Sequence, residues 1–362
     1  MNIAFYGSSL LSSYWNGAAT YYRGLLREIA RNGHRITFFE PDAFDRQKHR
    51  DIDPPAWCEV MVYEASPAGL ARATDAAGAF DVVVKASGVG YADDELLQLV
   101  FARARREAIR IFWDVDAPAT LAEIGRDANH PLRSVLPSID AVLTYGGGEP
   151  VVEAYRTLGA KDCLPVYNAL DPATHHPVRR DERFACDLAF LGNRLPDREA
   201  RVEDFLLRPA SDLPARRFIL GGAGWGDRDL PRNVRWINHV PTRDHNALNA
   251  SALAVLNVNR ECMAANGFSP PTRIFEAAGA GACLITDAWD GVELFLAPGA
   301  EVFVARDGKE VADIISSLTP ERAHAVGAAA LARVRRDHTY QQRARVVDQA
   351  LAALRGRRGV AA

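Results

Sequence analysis

The sequence predicts an α/β protein built of two Rossmann-like halves, each a parallel sheet flanked by helices. Three observations carry this. The chain opens on a strand, a glycine-bearing loop and a helix, and strands then alternate with helices to about residue 167. A stretch dense in proline and charge follows near residues 170–183, and the alternation restarts at Cys186. With 362 residues the chain is long for one core, so two domains are the natural division.

Composition narrows the function classes. Hydrophobic residues make up 48% and charged residues 25%, ordinary values for a globular protein. A net charge of -3 gives no whole-chain electrostatic case for nucleic acid or an anionic membrane. The five cysteines are scattered without a Cys-x-x-Cys pair, which argues against a zinc site and a disulfide framework and fits a reducing cytoplasm. No apolar run is long enough for a transmembrane segment, and Met1 leads straight into a short strand rather than a signal peptide. Four lysines against many arginines read as the codon bias of a GC-rich bacterial genome.

In the first half, residues 3–6 read as a buried strand ending at Gly7. A helix follows, with apolar positions at Tyr21, Leu25 and Ile29 and a stop at Asn32-Gly33. The loop between them lacks Gly-x-Gly-x-x-Gly, which counts against a nicotinamide-dependent oxidoreductase. Its Gly17 either lets backbone approach a ligand or forms a plain turn. Residues 35–40, 58–64 and 81–85 continue as strands, and 93–107 as an amphipathic helix. The strand 109–113 delivers Asp114 and Asp116 to its C-terminal end, where open α/β sheets bind ligands. Alternation sends both carboxylates to one side. There one can act as a base or bind acceptor hydroxyls, while Asp116 equally suits the cap of a helix starting at Pro118. Residues 138–145 form a further strand, and the Gly146-Gly147-Gly148 run after it serves a ligand or a tight turn equally well.

In the second half, the strand 186–191 runs into Gly192-Asn-Arg194-Leu-Pro-Asp-Arg198. Taken singly, each of these arginines reads as a surface helix cation. The strand 217–220 opens into the glycine-rich segment 221–226, where Trp225 either stacks on a base or sugar or closes a hydrophobic wall. Residues 234–240 form the next strand. The strand 252–256 exposes Asn257, Asn259 and Arg260 at its end, polar groups suited to sugar hydroxyls.

The most informative stretch runs from Asn266 to Asp287. Pro270 and Pro271 suit the entrance of a helix and Thr272 can cap its first turn, which aims free N–H groups and a positive dipole end at whatever lies before Ser269 and Thr272. Arg273 adds a planar donor fork suited to phosphate. Glu276 lies on the same helix face, one turn deeper, where a carboxylate accepts hydrogen bonds from vicinal hydroxyls. Phosphate plus diol points to a nucleotide. The plain alternative is an ordinary αβ unit in which Arg273 and Glu276 form a solvated pair.

The run Pro-Pro-Thr-Arg-Ile-Phe-Glu-Ala-Ala-Gly-Ala-Gly-Ala-Cys-Leu-Ile-Thr-Asp over residues 270–287 resembles the donor-site signature of GT-B glycosyltransferases. It is most similar to that of the family of the spore maturation protein CgeB, whose members carry an Arg-x-Phe-Glu-Ala helix, a glycine and an apolar strand ending in Thr-Asp. The resemblance implies two Rossmann-like domains facing each other across a cleft. Residues 1–170 would bind the acceptor and 171–335 the nucleotide-sugar donor. Residues 336–362 would return as a helix to the first domain, ending in a mobile tail from Arg355. The segment Asn168-Ala-Leu-Asp171-Pro172 matches the usual connection between the domains.

By the same resemblance the chain transfers a sugar from a UDP-, dTDP- or GDP-sugar, without a metal, to a hydroxyl of a glycan, protein, lipid-linked or small-molecule acceptor. Arg198, with Arg194 second, joins Ser269, Thr272 and Arg273 at the diphosphate, and Glu276 holds the ribose. His239 and Val240 rim the nucleobase pocket together with Trp225. Many retaining members carry a second glutamate upstream of Glu276; here residues 266–269 stand in its place, so Gly267 and Phe268 join Asn259 and Arg260 at the donor sugar. Trp15, Asn16 and Gly17 face the acceptor, and the resemblance favours Asp116, with Asp114 beside it, as the catalytic carboxylate. A noncatalytic nucleotide- or sugar-binding protein on the same fold is the alternative.

Overall fold

All the described strands pair in parallel, in two separate sheets. The computed structural model describes residues 1–14 and 16–360. The first sheet holds β1 (Asn2–Tyr6), β2 (Arg35–Asp42), β3 (Glu59–Glu64), β4 (Val82–Ala86), β5 (Ile109–Asp114), β6 (Ala141–Thr144) and β7 (Cys163–Pro165), in the order β3-β2-β1-β4-β5-β6-β7. The second holds β8 (Cys186–Leu191), β9 (Phe218–Gly221), β10 (Val234–Ile237), β11 (Ala252–Asn257), β12 (Leu284–Asp287) and β13 (Phe303–Ala305), in the order β10-β9-β8-β11-β12-β13. Each sheet therefore winds outward from its first strand and reverses beside it, between β1 and β4 in one and between β8 and β11 in the other. Loops at such reversals diverge to opposite faces and leave a crevice at the carboxyl ends of the strands.

Burial on both faces explains the strand composition. In β4, Val82, Val83 and Val84 are all buried, and in β11 so are Ala254, Val255 and Leu256, the near-continuous apolar runs that helix-covered parallel strands require. Fully burying a Val or Leu side chain contributes about 1.5–3 kcal/mol. The expected helix over 93–107 stops at Arg103. Arg110, from β5, donates to the carbonyls of Phe101, Ala104 and Arg105, satisfying helix-end acceptors and letting the chain turn.

The chain divides into two units. One comprises Met1–Tyr167 and the chain from Tyr340 onward; the other is Asn168–Thr339. The return to the first unit thus comes at Tyr340 rather than residue 336, because the helix Pro320–Asp337 keeps Val326, Ala330 and Val334 buried in the second unit. The helix Tyr340–Val360 packs on the helix Ala18–Arg31, where Gly24 lets the ring of Tyr340 lie against its backbone. The tail expected to be mobile from Arg355 is helical through Val360. Arg357 pairs with Asp162 at 2.8 Å and Arg358 with Asp140 at 2.6 Å, which ties the last turns to the edge of the first sheet. Among the described residues, no helix is long and apolar enough to cross a membrane.

The loop after β1 is held from below. Glu40, fully buried on β2, accepts the N–H groups of Leu10 and Leu11. Asp51 accepts a two-pronged bond from Arg23 at 2.7 and 3.0 Å and the hydroxyl of Ser13 at 2.8 Å. Burial works to raise the Asp51 pKa, but the hydrogen bonds from Arg23 and Ser13 outweigh it and hold the carboxyl at about 2.

Two predictions follow from the packing. A Cβ at residue 24 overlaps the Tyr340 ring, so Gly24→Ala should lower unfolding free energy by about 1–3 kcal/mol in urea titrations. Because the folded pKa of Asp51 is depressed, its stabilisation is present above the ordinary carboxylate range and is lost as pH falls through about 2. The stability gap between the native chain and Asp51→Asn should be full above about pH 5 and narrow below about pH 4.

Candidate functional site

In the second unit one side chain spans the point where the strand order reverses. Arg273 sits in the first turn of the helix Thr272–Gly279, which Pro271 opens from an extended N-cap position. Its Nε donates to the Leu191 carbonyl at the end of β8, 2.8 Å away, and its Nη1 to Asn257 Oδ1 at the end of β11, also 2.8 Å. The guanidinium lies 4.9 Å over the Phe190 ring. This leaves Nη2 directed at Gly192. A Cβ on that glycine would stand 3.0 Å from Arg273 Nη2 and 3.1 Å from Arg198 Nη1, so both cations converge on one backbone position that only glycine leaves open. Burial first, then the charge of Arg198, works against the Arg273 cation; burial likewise lowers the Arg198 pKa, and its Nε is buried without a partner. Two guanidiniums so placed repel each other, and an anion between them offsets both costs.

A buried network aims these groups. Asn257 donates to Asn259 Oδ1 at 3.1 Å and to Thr286 Oγ1 at 3.0 Å. Asp287, at the end of β12, accepts from Arg201 at 2.6 Å and from the Asn259 N–H at 3.1 Å. Burial raises the Asp287 pKa, and the hydrogen bond and charge of Arg201 oppose that. Buried polar atoms in and beside this network have no partner: Arg201 Nε, Asn259 Nδ2 and Ser269 Oγ. Native structures contain few such atoms, and at a site facing ligands they are explained by what binds there. Thr272 does not cap its helix. Its Oγ1 instead accepts from Asn168 Nδ2 at 3.2 Å, which leaves the hydroxyl proton free to donate. Gly267 and Phe268 both take positive φ, and the Phe268 N–H donates to Asp290 at 2.6 Å, fixing the loop that leads into Ser269. Arg260 is engaged by Asp197 at 2.6 Å. Glu276, half-buried one turn after Arg273, is not its ion-pair partner, since the Arg273 fork is committed to Leu191 and Asn257.

Several expected ligands are otherwise engaged. Arg194 binds both oxygens of Glu199 at 2.7 and 2.8 Å and Asp227 at 2.7 Å, so it staples the glycine-rich segment and is no phosphate ligand. Trp225 is fully buried in the second core and donates to the Gly192 carbonyl at 2.9 Å. With no exposed face it cannot stack on a base; it supports Gly192 from behind. His239 is exposed beyond the end of β10, and Val240 is buried with its carbonyl facing His245 Nε2 at 3.1 Å.

In the first unit the two carboxylates separate in role. Asp114 is fully buried and accepts from the Tyr155 hydroxyl, from Ser87 Oγ at 2.7 Å, from Thr120 Oγ1 at 3.0 Å and from the Asp116 N–H at 3.0 Å. Burial raises its pKa against these bonds. Fully buried beneath these donors, Asp114 offers no exposed oxygen to an acceptor, so the catalytic expectation for it is corrected to a framework one. Asp116 stands at the N-cap of the helix Ala117–Arg126, where its carbonyl receives the Ala119 and Thr120 N–H groups while its side chain caps nothing. It lines a cavity of about 270 Å³ at the ends of β4 and β5 with Lys85, Asp93, Thr120, Glu123 and His130. Buried Lys85 donates to Asp93 at 2.9 Å and to the Ala86 carbonyl at 2.6 Å.

The acceptor-side loop departs from expectation. Asn16 is turned inward, donating to the Ser9 and Ser12 carbonyls at 2.8 and 3.0 Å and accepting from Ser8 Oγ at 2.9 Å, so it braces the loop rather than offering a polar group outward. Gly17 is exposed with nothing near its missing side chain. Trp15 lies outside the described residues. Residues not singled out as ligands in the sequence also enter the sites: Lys85, Asn168, His175 and His245. Asn168 was legible only as the start of an inter-domain connection, and no local spacing marks the others.

Residues 198–349 match the family model described as glycosyl transferase-like. No curated protein sequence matches the chain. Among solved structures, the complex of Anabaena HepE with UDP and glucose is similar at TM-score 0.68 and 14% identity, covering 98% of this chain and 100% of that one. Sucrose-phosphate synthase from Thermosynechococcus elongatus is similar at TM-score 0.72 and 14% identity, over 98% and 99% of the two chains. The T4 phage BGT complex with UDP-glucose is similar at TM-score 0.61 and 11% identity, over 97% and 99%. At such identities the likeness speaks for architecture, and the two parallel sheets have the GT-B glycosyltransferase fold.

Proposed function

We propose that this protein is a glycosyltransferase that moves a sugar from a nucleoside diphosphate sugar to an acceptor hydroxyl, with the donor held by the second unit and the acceptor by the first. The observation that carries the reading is the convergence of Arg273 and Arg198 on Gly192, beside the unpartnered Ser269 Oγ and Asn259 Nδ2. The diphosphate lies against the two guanidiniums and the free N–H groups at Thr272 and Arg273, with the Ser269 and Thr272 hydroxyls as further donors. Glu276 accepts the ribose hydroxyls. Asn259 Nδ2 and the Gly267-Phe268 backbone meet the donor sugar, and the backbone at His239 and Val240 borders the base. UDP is the first nucleotide to test, because HepE and the T4 phage enzyme are similar in fold and their complexes contain UDP or UDP-glucose.

In transfer, the bond between the anomeric carbon and the diphosphate oxygen breaks, and the electron pair leaves with the diphosphate. Arg273, Arg198 and the helix N–H groups stabilise that developing charge and do the work of a metal. The acceptor oxygen bonds the anomeric carbon, and Asp116 orients the acceptor hydroxyl and takes its proton. The cavity at Asp116, lined by acids, Lys85 and His130, suits a hydroxylated acceptor. The CgeB-like branch is proposed on residues 270–287 alone. A bacterial cytoplasm suits five cysteines that are all free thiols.

Isothermal titration with UDP and transfer assays with UDP-sugars test the reading. Arg273→Ala should weaken UDP by about 100-fold or more and Glu276→Ala by about 10- to 100-fold, from the loss of charge-assisted hydrogen bonds. Asp116→Asn should leave UDP affinity within about twofold and cut kcat by about 100-fold or more. Turnover should persist in EDTA. Unchanged UDP affinity in both donor-site variants would overturn the reading, and tight UDP binding without turnover in the native chain would favour the noncatalytic alternative.

A further inference from the structure

We propose that His175, His245 and Glu276 form a binding site for one zinc-type divalent cation. The three side chains come from a connecting segment and two helices, and each offers a ligand atom within 4.8 Å of the others. Two nitrogens and one carboxylate oxygen are the donor set that borderline cations such as zinc prefer, and three protein ligands leave a position for water.

Hydrogen bonding around the rings prepares both imidazoles as ligands. His245 Nε2 lies 3.1 Å from the Val240 carbonyl, which can only accept, so Nε2 carries the proton and Nδ1 keeps its lone pair. That Nδ1 is buried without a partner. The Thr174 hydroxyl donates to the Asp171 carbonyl at 3.2 Å, so its oxygen accepts from His175 Nδ1 at 2.9 Å, and His175 Nε2 is left bare. His175 is 4% exposed, and its Nε2 is likewise buried and unpartnered. It faces Glu276 Oε1 at 3.8 Å, too far for a hydrogen bond, with a lone pair on each side. Each ring thus has one nitrogen fixed by an oxygen, as metal-bound histidines do, and the other buried without a partner, with a ligand atom of Glu276 close to both residues.

The site goes beyond the donor reading while sharing Glu276 with it, and the two fail separately. Full-length protein stripped with EDTA should bind one equivalent of zinc on calorimetric titration, with no saturable binding of magnesium in its place. His175→Ala and His245→Ala should each weaken zinc at least tenfold, with unchanged circular dichroism. Cobalt(II) added to the unmutated protein should give the intense visible absorption of a four- or five-coordinate site, a readout independent of how variants fold. No saturable zinc binding, zinc affinity unaltered in both histidine variants, or only the weak spectrum of hexaaqua cobalt would overturn the proposal. A chain that binds UDP and not zinc loses this inference alone; one that binds zinc and not UDP loses only the donor assignment.

Discussion

The second unit depends on the pair of hydrogen bonds by which Arg273 joins the end of β8 to the end of β11. Hydrogen bonds to a charged group contribute about 1.5–3 kcal/mol each, while moving a guanidinium out of water costs several kcal/mol. The two effects are of similar size, so the arrangement holds only with its surroundings in place. Phe190 lies under the ring plane, Asn257 is aimed by Thr286 and Asn259, and Asp287 is anchored by Arg201. Gly192 completes it by the absence of a side chain. The guanidinium is thus positioned by the protein's own contacts.

The two sheets repeat one winding, outward through three strands and then back past the first, yet they place opposite charges at their carboxyl ends. The second gathers arginines and helix N–H groups; the first gathers Asp114 and Asp116, with Lys85 neutralised by Asp93. Strand order sets where a ligand can sit, and the side chains at the strand ends set which ligand it is. Within the first sheet the division of labour between neighbouring aspartates follows from depth. Asp114 is sealed in by Tyr155, Ser87 and Thr120, and Asp116, two residues on, borders the cavity.

Much of this was legible in the residues. The strand–helix alternation, the restart at Cys186 and the helix entrance after Pro270-Pro271 rest on local rules of backbone geometry, and the elements stand within a few residues of where those rules put them. The place of Arg273 in the first turn of that helix was legible because two prolines before it open the helix, a local pattern. Its partner Leu191 was not, being 82 residues away. The misread residues share one cause: Arg194, Asn16, Trp225 and Asp114 have chemistry suited to ligands, and whether that chemistry faces outward depends on bonds to distant segments. Arg194 meets Asp227, 33 residues on, and Asp114 meets Tyr155, 41 residues on. The histidines fall outside any motif for the same reason, since His175 and His245 meet only after the connecting segment has folded back beside the helix Thr272–Gly279.

The helix Tyr340–Val360 has a consequence for synthesis. It covers Tyr21 and the Gly24 face of the helix Ala18–Arg31, so that helix lacks its cover until residues more than 300 positions later have been made. Meanwhile the uninterrupted segment Asn168–Thr339 can complete its own core. The nascent protein therefore matures from the middle outward, and a chain broken off before Tyr340 leaves aromatic surface bare on its first segment, the kind of exposure that chaperones and proteases act on.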